Sequence, residues 1–315
     1  MFGAAGAAGF ALYAKGLNDD LARTDPFSAL TDGRPAKTVD GALNILLVGS
    51  DSRDPDAPLD QASQWRADTI IVMHIPASHD RAYLVSLPRD LYVPIPQDAG
   101  AGCGGERGKI NAAFARGGLP LAVRTVECMS DVRMDHVVAV DFGGFKEVTD
   151  ALGGVELYIE RSITSIHKPY RKFTKGKNHL NGAEALDYVR QRKQFPDGDF
   201  ARMRHQQEFL KALLDKAASG GTLTNPAKLN AFLKATTKAV TVDRDFSLVD
   251  MALQFRNLRS EHLTFLVSPH RGSDMVNGES VVVSDREKAL AMYQAMAKDK
   301  MAEWVAANPP PKRNG

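Results

Sequence analysis

Three short stretches pair an acid with an arginine where an apolar run begins or ends: Asp51 with Arg53, Arg66 with Asp68, and Arg89 with Asp90. Further along, Tyr188, Arg190 and Arg192 alternate, and Arg202 stands four residues before Gln206. An extended chain after Val189 would point Arg190 and Arg192 the same way, and a helix would put Arg202 and Gln206 on one face. Four arginines between positions 190 and 204 repel one another unless water or an anion screens them. Guanidinium forks match phosphate oxygens in bidentate geometry. Mg2+ takes one or two carboxylates, the phosphate oxygens of a ligand, and water. Acids beside grouped arginines therefore suit a magnesium–pyrophosphate ligand, with the arginines neutralising charge that develops on a leaving group. The competing reading is ordinary surface charge, and repetition of the pattern at three neighbouring elements weighs against it.

Other chemistries lack their residues. No GxxxxGK(S/T) loop follows a strand, and there is no GxSxG elbow or HExxH pair. The eight histidines form no ligand pattern. His136 and His205 read as structural, while His270, in SPHRGSD, stays open as a residue lining the site.

The elements that must hold these groups follow from hydrophobic patterning. Residues 42–49, ALNILLVG, form a continuous apolar run that stops at a polar loop, the pattern of a buried strand. Residues 69–75 and 82–87 read as two more strands, and 136–140, 155–159 and 263–267 as others. Helices are predicted over 111–116, 121–129, 145–152, 199–218, 226–236, 248–258 and 285–297. Asn181, with Glu184 at capping-box spacing, opens one more. Strands alternating with helices predict an α/β fold around a central sheet. In open sheets of that class ligands bind at the C-terminal ends of parallel strands. The basic run 161–179 reads as a solvated loop. Residues 15–40 read as a linker, 41–300 as one domain (motif-rich over 44–215, completed by 220–300), and 301–315 as a disordered tail.

Composition sets outer limits. Of 315 residues, 43% are hydrophobic and 25% charged, which excludes a disordered, collagen-like or polytopic membrane chain. A net charge of +2 gives no reason to expect nucleic-acid binding. Residues 2–14, FGAAGAAGFALYA, are uncharged and apolar. They would cover about 20 Å as a helix, short of a ~30 Å hydrocarbon core. They read either as the outer end of a membrane anchor or as an Ala/Gly leader. Cys103 and Cys128 lack a second Cys or a His at zinc-ligand spacing. They form a disulfide if the chain is exported, or remain two buried thiols.

The motif blocks resemble the LytR-CpsA-Psr family of cell-wall glycopolymer ligases. They are NILLVGSDSR at 44–53, RADTIIVMHI at 66–75, LVSLPRDLYVPI at 84–95, GKINAAFARGG at 108–118, VDFGGFKEVTDALGGVEL at 140–157, HLNGAEALDYVRQRK at 179–193 and DFARMRHQQEFLKAL at 199–213. The resemblance implies a bacterial protein with one N-terminal membrane anchor and an extracellular catalytic domain. That favours the anchor reading of residues 2–14 and a Cys103–Cys128 disulfide. It also implies a central mixed sheet flanked by helices, an apolar tunnel for a lipid tail, and Mg2+-assisted transfer of a glycopolymer from a polyprenyl-pyrophosphate carrier onto peptidoglycan. Position by position, Asp51 and Asp68 look like the metal-associated acids. Arg89, Arg190, Arg192, Arg202 and Gln206 resemble the pyrophosphate-binding set, with Arg53 and Arg66 as additions. Asp90 or a metal-associated acid would serve as general base. Lys109 and Asn111 lie in a family motif and either touch ligand or hold their loop. The loop between Asp51 and Asp68 looks longer than in some relatives. Two rival functions are hydrolysis of the same pyrophosphate and a non-enzymatic regulatory or polymer-binding role. An Ala- and Arg-rich composition points to a high-GC actinobacterial source.

Overall fold

The computed structural model describes residues 13, 15–30, 33–50, 59, 67–254 and 258–310. In chain order the strands are β1 (Ala22–Thr24), β2 (Leu43–Ser50), β3 (Ala67–Ile75), β4 (Ala82–Ser86), β5 (Tyr92–Pro94), β6 (Arg107–Lys109), β7 (His136–Asp141), β8 (Val155–Ile159), β9 (Ile163–Thr164), β10 (Lys172–Phe173), β11 (Gly176–Leu180), β12 (Val240–Asp243), β13 (Leu263–Val267), β14 (His270–Val276) and β15 (Glu279–Ser284). The helices are α1 (Asn111–Ser130), α2 (Phe142–Ala151), α3 (Gly182–Val189), α4 (Asp199–Ala217), α5 (Gly220–Leu223), α6 (Pro226–Ala239), α7 (Leu248–Gln254), α8 (Arg286–Ala297) and α9 (Met301–Ala307). The chain divides into two compact units, residues 1–23 with 140–261, and residues 24–139 with 262–315.

The second unit is built on a mixed sheet. Its strands run in the order β7-β2-β3-β4-β13. β2 with β3 and β3 with β4 are antiparallel, whereas β4 and β13 are parallel. Every residue of β4 is buried, which is why its sequence is apolar without alternation. Helix α1 packs on β3 and on α8. The two helical stretches expected over 111–129 are one element with a kink. Gly117 and Gly118 leave helical geometry, Gly118 at φ 63°, and Pro120 follows. Gly118 is tolerated there because it has no Cβ. The buried Glu127 carboxylate accepts from Arg34 at 2.7 Å and from the Met134 amide at 2.9 Å, so its charge is paired.

The first unit surrounds a different core. The antiparallel ribbon β8–β11 turns Val155, Leu157 and Ile159 inward, giving strict alternation along β8. Helix α3 starts with the capping box read from sequence: the Asn181 side chain accepts from the Glu184 amide at 3.0 Å, and Glu184 returns the bond. Phe145 of α2 stacks on Phe209 of α4 with centroids 4.0 Å apart. A Cβ on Gly144 would collide with Ala239 of α6, so glycine permits that close helix contact.

Two stretches depart from the composition-based reading. Within the supposed linker, β1 is formed and Leu17, Leu21 and Leu30 are buried. Within the supposed tail, residues 301–307 form α9 and Met301 is buried, because the segment adds an apolar side chain to a core. Residues 2–12 and 14 lie outside the described residues, as do 311–315. Among the described residues no helix is long and apolar enough to cross a membrane.

Cys103 and Cys128 are joined in a disulfide with Cα atoms 5.2 Å apart, 25 residues apart in sequence. Arg124 ties the same loop down, donating to Ala101 O at 2.8 Å. Replacing both cysteines with serine is expected to lower stability by about 3 kcal/mol through loop-closure entropy. Denaturant unfolding with and without reductant measures it, and an unchanged midpoint would show that the loop is held by Arg124 alone.

Candidate functional site

In the second unit the register of two neighbouring strands sets the geometry. β3 pairs with β4 through Ile71 opposite Ser86. Continuing that register three residues along each chain brings Asp68 opposite Arg89. The Arg89 guanidinium donates directly to the Asp68 carboxylate. Asp90 flanks it, its Oδ2 3.6 Å from Arg89 Nε. The side chains are 22% (Asp68), 18% (Arg89) and 28% (Asp90) exposed, so a ligand can reach all three. The expectation of a crevice at parallel strand ends is corrected here. β3 and β4 are antiparallel, so the start of one meets the end of the other.

The backbone of this turn is fixed from three sides. Arg89 O accepts from the Asn111 amide at 3.1 Å, Asp90 O from Val282 N at 2.8 Å, and Leu91 O from Ile110 N at 2.9 Å. Asn111 thus holds the turn through its main chain. Lys109 pairs with Glu279 at 2.9 Å, holding that carboxyl below its usual range. Asp51, Arg53 and Arg66 lie outside the described residues.

In the first unit the arginines form a second set. Arg190 is the C-cap of α3, with φ −90° and ψ −11°, and the chain then turns, with Gln191 N donating to Tyr188 O at 3.0 Å. The extended path that would have aligned Arg190 and Arg192 is absent. Gln191, fully buried between them, drives the turn. Its Nε2 donates to Asp187 Oδ1 at 2.7 Å and to Ser165 Oγ at 2.9 Å. Arg202 pairs with Asp199 at 2.8 Å, and Arg192 comes within 4.0 Å of the same carboxylate oxygen. Gln206 follows Arg202 by one turn of α4 and is half-buried.

Asp187, Gln191 and Asp199 went unnoticed in the sequence. Only Asp199 left a signal there, an acid three residues before Arg202 at a helix start. Arg204 and His205 face elsewhere on α4. Arg204 bonds Asp197 and Glu160, and the buried His205 meets Glu160 at 3.3 Å. His205 also packs on Tyr188 and Phe195, as a structural histidine does. Its hydrogen bond holds the Glu160 carboxyl below its usual range.

Among the described residues no group of three or more His, Cys, Asp or Glu side chains gathers around a common point. Mg2+ needs fewer, since phosphates and water complete its shell. Of the two acids expected at the metal, Asp68 offers hard oxygen donors at a partly open position and would fit such an ion, and Asp51 lies outside the described residues. A separate cleft of about 350 Å³ lies in the second unit. It is lined by Tyr92, Arg107, the disulfide, Arg286 and Tyr293, and holds none of the acids or arginines singled out above.

Comparison with known proteins adds the family. The family model described as LytR_cpsA_psr matches residues 12–298. The cell wall biosynthesis protein LcpA of Corynebacterium glutamicum is 33% identical over 304 residues, covering 84% of this chain. This chain spans 57% of that relative's length. The polyisoprenyl-teichoic acid–peptidoglycan teichoic acid transferase TagU of Bacillus cereus is 32% identical, over 74% of this chain and 71% of its own. The crystal structure of TagV from B. subtilis superposes with a TM-score of 0.68 at 26% identity, covering 84% of this chain and 98% of that one.

The buried Asp187 network predicts a positional effect. Asp187→Ala leaves Ser165 Oγ and Gln191 Nε2 each without a partner on that carboxylate, and is expected to cost about 2–3 kcal/mol. Thermal unfolding reads that cost. A melting temperature equal to wild type would mean the network does not hold the Arg190–Arg192 turn.

Proposed function

The chain belongs to the LytR_cpsA_psr family, and on that premise we propose that it transfers a glycopolymer from a polyprenyl-pyrophosphate carrier onto peptidoglycan, forming a phosphodiester. The observation that carries the reading is the guanidinium of Arg89 held between Asp68 and Asp90 at an open strand end. The names of the TagU and LcpA relatives point the same way.

In this reading the family resemblance assigns Arg89, Arg190, Arg192, Arg202 and Gln206 to the pyrophosphate, with Arg53 and Arg66 as additions. Motif order supports the assignment. Asp51 and Asp68 would hold Mg2+, which would neutralise phosphate charge and polarise the phosphoryl oxygens. The acceptor hydroxyl oxygen bonds to the phosphorus nearest the sugar. The bond from that phosphorus to the bridging oxygen breaks, and polyprenyl phosphate leaves. With Asp51 and Asp68 assigned to the metal, the Asp90 carboxylate receives the hydroxyl proton. Arginines around the phosphates stabilise the charge that grows on the departing oxygen. The polyprenyl tail occupies an apolar tunnel in the α/β core. The cell-wall roles in the relatives' names support a catalytic portion that works outside the cell. The Ala- and Arg-rich composition supports an actinobacterial source.

Arg89→Ala and Asp68→Ala are each expected to lower transfer of labelled polymer from the lipid carrier to peptidoglycan by about 10²-fold or more, with melting temperatures near wild type. Wild-type rates in both variants would remove the site assignment. Product analysis without acceptor glycan distinguishes transfer from hydrolysis. EDTA treatment is expected to stop transfer and added Mg2+ to restore it; transfer that survives chelation would remove the metal from the reading.

A further inference from the structure

Residues 161–181, RSITSIHKPYRKFTKGKNHLN, contain six lysines and arginines and no acid. The structure makes part of this run a built hairpin rather than a loose loop. β9 and β10 pair antiparallel, Ile163 opposite Phe173 and Thr164 opposite Lys172. Ser165 N donates to Arg171 O at 2.8 Å, and Tyr170 N to His167 O at 2.7 Å, closing the tip. At the base Ile163 and Phe173 are buried with Val155, Leu157 and Ile159. Asp187 clamps both arms, accepting from Ser165 Oγ at 2.6 Å and pairing with Arg171 at 3.3 Å.

Beyond the clamp the hairpin faces outward. Ile166 is 44% exposed and Tyr170 55%. Arg161, Lys168, Lys172, Lys175 and Lys177 are exposed. None of the five has a carboxylate partner among the described residues. Tyr158, 44% exposed, stands opposite Lys177 on the β8–β11 ribbon. One exposed apolar residue carries no meaning. Here Ile166 and Tyr170 share the clamped tip with Lys168, and the other exposed cations, Arg161, Lys172, Lys175 and Lys177, lie along the same run.

A soluble polyanion would engage the lysines and leave Ile166 and Tyr170 in water. An anionic phospholipid surface uses both sets. Its phosphates meet the lysines, and its interfacial layer accepts an aliphatic side chain and an amphipathic tyrosine. We propose that the 163–173 hairpin docks this unit on anionic phospholipid. Docking does not depend on the transfer reaction, so its test is separate from that of the proposed activity.

The full chain would be sedimented with vesicles of phosphatidylcholine alone or mixed with phosphatidylglycerol. It would be compared with the variants Ile166→Ser/Tyr170→Ser and Lys168→Gln/Lys172→Gln/Lys175→Gln. Residues 2–14 are common to all three proteins, so differences report the hairpin. Melting temperatures should match, because every substituted side chain is exposed. Binding of the wild type to phosphatidylglycerol vesicles should weaken with salt. Each lysine near an anionic surface is worth about five-fold in partitioning, so the lysine variant should lose about ten-fold or more. The tip variant should lose about ten-fold through its buried apolar area. Equal wild-type partitioning to both vesicles, or a tip variant that binds like wild type, would overturn the proposal. So would a lysine variant that keeps vesicle binding while losing affinity for soluble poly(glycerol phosphate), which would assign the surface to a polyanionic polymer.

Discussion

Antiparallel pairing of β3 with β4 is the constraint on which the second unit's site depends. A ladder has one register, and a slip of one residue would turn every side chain to the opposite face. The fully buried β4 forbids such a slip, since its apolar side chains would have to exchange places. With Ile71 opposite Ser86, the residues three steps out on each strand meet, and they are an aspartate and an arginine. The core therefore positions the charge pair, and the pair lies where the ladder gives way to solvent. Its exposure keeps its own contribution to stability small. Its consequence is geometric: one guanidinium, a fork of five N–H groups, is held in a known orientation.

The first unit reaches a similar result by other means. Arg202 is almost fully buried, with a side chain 7% exposed. A buried guanidinium needs a counter-charge, and Asp199 supplies it from one helical turn away. The same carboxylate stands near Arg192. An acid between two arginines reduces their mutual repulsion and lets a cationic surface form before any anionic ligand arrives. The backbone of Arg192 is set by a residue that carries no charge: Gln191 is drawn inward by Asp187 and Ser165, while the Arg192 side chain stays 38% exposed.

Strands with a local hydrophobic pattern are legible, because a continuous apolar run or, in β8, an apolar alternation leaves few alternatives. β2, β3, β4, β8 and β13 were all found within a residue or two. β1, β5, β6, β9 to β12, β14 and β15 are not, since pairing rather than local pattern makes them strands. The loop 161–179 shows the difference well. Its alternation is too brief to detect, yet Ile163 and Phe173 belong to a core assembled from distant residues. At the site, residue types were legible and paths were not. Tyr188, Arg190 and Arg192 alternate like a strand, but a tertiary hydrogen-bond network turns the chain after α3. The acids and arginines were visible as charge, whereas Asp187 and Gln191 were hidden because buried polar residues resemble any others in sequence.

The distribution of cations between the arginine sets and the hairpin follows from the chemistry of the two side chains. Arg89 and Arg202 each have a carboxylate partner and little exposed surface. Arginine suits that setting: its planar fork is weakly hydrated and makes directional bonds to carboxylate and phosphate alike. Lys168, Lys172, Lys175 and Lys177 are exposed and point charges. Lysine holds its hydration and moves on a flexible stem, so it senses a diffuse anionic field better than a single phosphate. Exchanging the two types would not be neutral. Lysines in the arginine sets would lose the bidentate geometry, and exposed arginines on the hairpin would stack and bond more specifically than a membrane surface requires. Directional recognition thus falls to the paired arginines, and non-directional attraction falls mainly to the exposed lysines.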